Sequence, residues 1–331
     1  MQVLWVFRVI LTYFFSGLAV VAPVTGLYSV TATFLIERSY GPEGKFAQVG
    51  GVRLHYLDLP ADDPNAPVIV FIHGASGNLR DPEFAFRARL SGRYRLIFID
   101  RPGHGYSSRG PAEMSAPRAQ ADVIYALLRT LAIERAVIVG HSWGAAVAAA
   151  FAVDHGAATA GLLLLAPATH PWPGGVDWYY SVATTPVVGP IFARTLLVPV
   201  GQMLVGASLQ DVFGPTPVPA GYFDRAAVPL VFRAAEFIAN AEDVVNLKAN
   251  VIAMSPRYRE ITAPTIVVTG AADTVVRNDL HAAALVREIN GARLIEITDA
   301  GHMPQYSDPD TVIAAIDDLA GRAWVHGFAQ L

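Results

Sequence analysis

The sequence predicts an α/β fold: a doubly wound, mostly parallel sheet with a helical lid insertion and an N-terminal hydrophobic helix. Three observations predict it. Short apolar runs such as Val68–Ile72, 136–139 and 162–165 recur with helical stretches between them, the alternation of a sheet buried on both faces. That rhythm lapses between residues 168 and 257 and then resumes. Residues 9–36 contain no Asp, Glu, Lys, Arg or His.

The uncharged segment comes first. A membrane-spanning helix needs roughly 20 apolar residues to cross about 30 Å of hydrocarbon, and this run exceeds that, so residues 1–36 are expected to form a membrane anchor. Three other readings compete: a cleaved signal peptide, a hairpin broken at Pro23 and Gly26, or an apolar arm packed on the protein's own surface. A signal peptide's apolar region is typically about 7–15 residues, shorter than this one. Arg8 on one side and Glu37, Arg38, Glu43 and Lys45 on the other leave the orientation open.

Residues 40–44 are a turn-rich linker, and the globular part starts near Phe46. Val52–Leu59 alternates apolar and polar residues as a half-buried strand does. Strands at Val68–Ile72, 95–100 and 136–140 follow, with a helix over 116–132 between the last two. A strand at 162–165 precedes the lid, which is rich in Pro, Gly and aromatics, Trp172, Trp178, Tyr179, Tyr180 and Phe213 among them. Its apolar residues, which also include Met203 and Leu204, are read for the most part as a small core of the lid itself and for the remainder as walls of an apolar pocket. Strands at 265–269 and Arg293–Ile297 then alternate with helices at 278–289 and 308–319. The expected boundaries are 1–45 for anchor and linker, 46–168 and 258–331 for the core, and 169–257 for the lid.

With 331 residues the chain accommodates one large core plus an insertion. A net charge of −4 gives no basic field for a phosphate backbone, so nucleic acid is excluded as an expected partner. Apolar residues make up 53% and charged residues 16%, an excess that the N-terminal segment accounts for in large part. The chain has no cysteine, which rules out disulfides, thiolate metal sites and a cysteine nucleophile.

Gly140-His141-Ser142-Trp143-Gly144 lies between a strand and an Ala-rich helix, read as 145–153. This Gly-x-Ser-x-Gly elbow exposes a serine hydroxyl on a tight turn, and the helix behind it aims N–H groups at developing negative charge. Asp273 follows the strand at 265–269, and His302 follows the final strand in a Gly-containing loop. Open α/β sheets build their sites at such strand ends. Asp299, Glu242 and Asp243 remain alternatives for the acid. His73, His104 and His141 have no metal-ligand spacing, and neither metal nor organic cofactor is expected.

These motifs, with His73-Gly74-Ala75-Ser76-Gly77 and Asp100-Arg101-Pro102-Gly103-His104-Gly105, resemble the serine-nucleophile, esterase- and lipase-like branch of the α/β-hydrolase fold family from about residue 46 to 323. The resemblance implies Ser142 as nucleophile, Asp273 as acid and His302 as base, in that family's chain order. It also implies backbone N–H groups of Ala75 and Trp143 as oxyanion donors, and a structural role for His104. Epoxide hydrolases and haloalkane dehalogenases of the family carry aspartate at the elbow, so Ser142 argues against both. Ser142-Trp143 resembles the elbow of proline iminopeptidases, whose His-Gly-Gly-Pro loop is here His-Gly-Ala-Ser. The expected reaction is hydrolysis of a small ester or lipid-like substrate. Carbon–carbon bond hydrolysis, aminopeptidase activity and a non-enzymatic receptor are the alternatives.

Overall fold

Among the described residues, eight strands pair into one sheet: β1 (Lys45–Val49), β2 (Val52–Leu59), β3 (Val68–Ile72), β4 (Arg95–Ile99), β5 (Ala136–His141), β6 (Thr159–Leu165), β7 (Thr265–Gly270) and β8 (Arg293–Ile297). Their order is β1-β2-β4-β3-β5-β6-β7-β8; β1, β2 and β4 pair antiparallel and the rest run parallel. The structure, a computed structural model, describes the backbone of residues 2–328 and the side chains of residues 21–322.

Successive side chains of a strand point to opposite faces, and β3 shows the result. Val70 and Ile72 join one apolar cluster with α3 (Pro117–Thr130) and α4 (Trp143–Asp154), whereas Ile69 and Phe71 join another with α2 (Arg80–Leu90). Further along the chain lie α5 (Trp178–Ala183), α6 (Val188–Thr195), α7 (Leu197–Phe213), α8 (Tyr222–Arg225) and α9 (Ala234–Met254), all between β6 and β7. After β7 come α10 (Ala282–Glu288), α11 (Pro304–Ser307) and α12 (Pro309–Phe328). α10 packs on the α3–α4 side and α12 on the α2 side, so helices cover both faces.

Three local readings change. β1 was not expected; it forms a hairpin with β2 through Gly50 and Gly51, whose φ of 54° and 76° suit the two-residue turn that matches strand twist. α4 starts at Trp143 rather than 145, because the elbow passes directly into the helix. α10 starts at Ala282 rather than 278, because Asn278 turns back to β7: its Nδ2 donates to the Gly270 carbonyl at 2.7 Å and its Oδ1 accepts from Thr269.

The helices between β6 and β7, called the cap below, hold an apolar cluster of their own that includes Leu197, Val198, Leu230 and Phe237. Met203, Leu204 and Trp178 lie outside it and are exposed, so neither a cap core nor a pocket wall describes them. The N-terminal α1 (Gln2–Ser39) is one helix through Pro23 and Gly26, so no hairpin breaks there. Its second half packs on α6 and α7, with Ile36 in the cap cluster. For residues 1–20 the anchor expectation lies outside the described side chains. Among the described residues no single helix is long and apolar enough to cross a membrane, while α6 and α7, bent by 67°, reach that length and composition only as a pair.

Candidate active site

Ser142 follows β5 with φ 53° and ψ −118°, a backbone state that side chains avoid at a cost of order 1–3 kcal/mol. Close packing enforces it. A Cβ on Gly140 would lie 2.5 Å from the Gly144 carbonyl oxygen, and one on Gly144 would strike the carbonyls of Ile72 and His73. The Ser142 N–H donates to the Leu165 carbonyl at 2.8 Å, fixing the turn to the next strand.

The structure brings Ser142, His302 and Asp273 together from three strand ends. His302 Nε2 lies 2.8 Å from Ser142 Oγ, and His302 Nδ1 lies 2.8 Å from Asp273 Oδ2. Asp273 Oδ1 accepts the N–H groups of Val275 and Val276 at 2.8 and 2.9 Å. Burial works to raise the Asp273 pKa, but the His302 hydrogen bond, its charge and those two N–H groups outweigh it and hold the carboxyl below its ordinary value. Asp299 is exposed, and Glu242 and Asp243 face arginines instead, so none of the three alternative acids orients the imidazole.

Trp143 opens α4, so its N–H has no acceptor within the helix. Ala75 sits on the loop after β3, and a Cβ on Gly74 would come within 3.2 Å of Ser142 Cβ. Glycine there lets the loop close on Ser142. Cap helix α9 holds that loop from the other side: Asn240 Oδ1 accepts the Ser76 N–H at 2.6 Å, and Asn240 Nδ2 donates to Ser76 Oγ at 3.1 Å.

The remaining histidines of the motifs, His73, His104 and His141, are buried and bonded to the backbone. His73 Nδ1 donates to the Gly74 carbonyl and its Nε2 accepts the Arg101 N–H, so both nitrogens are committed. Burial first, and Arg101 next, push the pKa values of His73 and His104 well below the ordinary value. His141 Nε2 donates to the His302 carbonyl at 2.9 Å; burial and the nearby His302 bring its pKa down to about 3. Among the described residues no group of three His, Cys, Asp or Glu side chains is placed to hold a metal ion.

Sequence reasoning missed Arg101 as a node. Fully buried, it donates to the His73 and Gly74 carbonyls at 3.0 Å and to Asp243 Oδ2 at 2.5 Å, and its guanidinium lies 4.2 Å from the Trp143 ring centre. Trp143 Nε1 donates in turn to the Asp243 carbonyl at 3.0 Å. Loop, elbow and cap thus meet on one cation. The sequence shows an arginine beside a Gly-rich turn, but neither its burial nor its carboxylate partner in the lid.

The cap also closes the site. Ser142 is 9% exposed and His302 5%. At the end of α7 the Val212 carbonyl accepts the His302 N–H at 3.2 Å, and Gly301 leaves no room for a Cβ against the Gly214 carbonyl. Nearby, the hydroxyls of Tyr222 from α8 and Tyr306 from α11 donate to Asp81 Oδ1 at 3.0 and 2.9 Å. Burial pushes the Asp81 pKa up from 3.8 to about 6, against those two hydrogen bonds. The folded state therefore holds a proton that the unfolded chain has released, so this group's contribution to stability falls as pH rises from about 4 to about 6. In Asp81→Asn that slope should disappear, with a gain of up to about 3 kcal/mol over wild type at pH 8 and little at pH 4. Urea unfolding of both proteins at the two pH values reads it; equal stability differences at both would assign Asp81 no such role.

The comparisons with known proteins agree with this architecture. Haloalkane dehalogenase 2 of Mycobacterium tuberculosis is 26% identical over 286 residues, 81% of this chain and 92% of its own. An enol-lactonase of Burkholderia xenovorans LB400 superposes with a TM-score of 0.65 at 24% identity, covering 83% of this chain and 99% of its own. A membrane phospholipase A described as a bacterial virulence factor superposes with a TM-score of 0.61 at 20% identity, covering 98% of this chain and 99% of its own. The model of the alpha/beta hydrolase family matches residues 69–315, three quarters of the chain, and the chain belongs to that family.

Proposed function

We propose that this protein is a serine hydrolase that cleaves a carboxylic ester with an apolar or acyl-chain component, and that residues 1–36 hold it at a membrane. One observation carries the first part: the relay Ser142 Oγ–His302 Nε2 and His302 Nδ1–Asp273 Oδ2, both at 2.8 Å.

A serine hydroxyl is a weak nucleophile near neutral pH, so His302 takes its proton as Ser142 attacks the acyl carbon. Asp273, held ionised, fixes the imidazole with its proton on Nδ1 and stabilises the imidazolium that forms. The oxyanion rests on the N–H groups of Ala75 and Trp143; one such donor is worth roughly 3–4 kcal/mol of transition-state stabilisation. His302 then returns the proton to the leaving alcohol, and a water that it activates releases the acid from the acyl-enzyme.

Dehalogenation, the activity in the name of one relative, suits Ser142 poorly. Displacement of halide by a serine hydroxyl would leave an alkyl ether, which water does not cleave, whereas an acyl-serine is hydrolysed readily. The enol-lactonase and the phospholipase named above both act, by their names, on carboxylic esters, and the apolar cap favours an acyl group.

A fluorophosphonate probe and a p-nitrophenyl ester series from acetate to palmitate test the reading. The expected result is labelling at Ser142, located by peptide mass spectrometry, and turnover that rises with chain length. No label in folded protein would reject the serine mechanism; equal turnover of acetyl and long-chain esters would reject the acyl-chain preference alone.

A further inference from the structure

In its described half, α1 carries its polarity reversed. Apart from Ile36, the side turned to the cap is small or polar: Ala22, Gly26, Ser29 and Ala32, with Ser29 Oγ donating to the Thr195 carbonyl at 3.3 Å. The side turned outward is large and apolar, with Val24, Leu27, Val30, Phe34 and Leu35 all more than half exposed. A helix that packs a globular core does the opposite.

The cap continues that outward face. Tyr28 and Gln202 are both exposed and bond at 2.6 Å across the seam between α1 and α7, so the exposed sides of the two helices flank one line. Met203, the next residue of α7, is 83% exposed, and Val187 at 73% and Ile191 at 57% lie on the four-residue row that ends at Thr195, the partner of Ser29. From Trp178 to Gln210 the only charged residue is Arg194, whose long stem lets its guanidinium reach a polar headgroup. Trp178, 69% exposed, is the residue type favoured at a membrane–water boundary.

We propose that this shared face of α1, α6 and α7 is a lipid-docking surface, with the bent pair lying in one leaflet beside α1. The proposal rests on the anchor reading above and extends it to the cap. Three observations commit the face to lipid. Five large apolar side chains of α1 stand outward while its packing side, Ile36 apart, is small or polar. The uncharged run continues from the described part of α1 back to residue 9. The 67° bend leaves α7, about 25 Å long at 1.5 Å per residue, too short to cross alone and turned from its neighbour. An element of that shape fits one leaflet.

The test uses the absence of native cysteine. Single variants Met203→Cys, Leu27→Cys and Glu134→Cys of the full chain are nitroxide-labelled and reconstituted into phosphatidylcholine–phosphatidylglycerol vesicles. Collisions with oxygen and with a water-soluble nickel chelate are then measured by electron paramagnetic resonance. Positions 203 and 27 should meet oxygen and exclude nickel, and 134, on the far exposed surface, should do the reverse. Nickel access at 203 with exclusion at 27 would overturn this proposal and spare the anchor; nickel access at both would overturn both. Exclusion of both reagents at 203, with spin–spin broadening, would mean a second copy covers the face and would also overturn it.

Discussion

Alanine at position 142 is expected to remove ester hydrolysis almost entirely, a loss of roughly 10⁶-fold in kcat of the kind seen when a triad serine is deleted. The fold should tolerate it. Among the described residues Ser142 Oγ bonds only His302 Nε2, and the strain of a φ of 53° comes from the backbone and is unchanged by losing the hydroxyl. Hydrolysis of p-nitrophenyl butyrate and thermal melting, measured side by side, separate the two quantities. Activity within tenfold of wild type would place the nucleophile elsewhere.

The largest stability effect is expected at Asp243→Ala. Asp243 is fully buried and accepts from Arg101 at 2.5 Å, Arg109 at 2.7 Å and Gln120 at 3.2 Å. Removing one partner of a buried ion pair leaves an uncompensated charge and costs about 3–5 kcal/mol. Because Arg101 also holds the His73 and Gly74 carbonyls, the oxyanion loop should loosen with it, and kcat should fall in whatever protein remains folded. A loss below about 1 kcal/mol in urea unfolding would show that solvent or a neighbouring carboxylate relieves the charge.

The site was legible in sequence to the extent that it depends on strand order. Ser142 and Asp273 each follow a buried strand that announces itself as an apolar run, and His302 follows β8, a largely exposed strand in which apolar and charged residues are mixed, so chain order set all three at the same edge of the sheet. Asp243 was not legible. It is a lid residue whose meaning depends on Arg101, 142 positions earlier, and no periodicity links the two; chemistry alone made it a rival acid. β1 was missed for a different reason: only Val49 among its residues is buried, so the strand has no apolar run, and the Gly50-Gly51 turn was its one signal. The outward face of α1 escaped because a helical repeat tells which residues share a side but not which side meets the protein.

One contact described above bears on how substrate enters. α7 touches the docking face along its first turns and the histidine loop at its last, where the Val212 carbonyl holds the His302 N–H. Lifting that last turn would free the loop that carries His302. A cap movement that kept the Val212 end in place would leave the His302 loop anchored, so an opening on the α6 side would disturb the proposed relay less than one that lifts the end of α7, and it would face the proposed lipid surface.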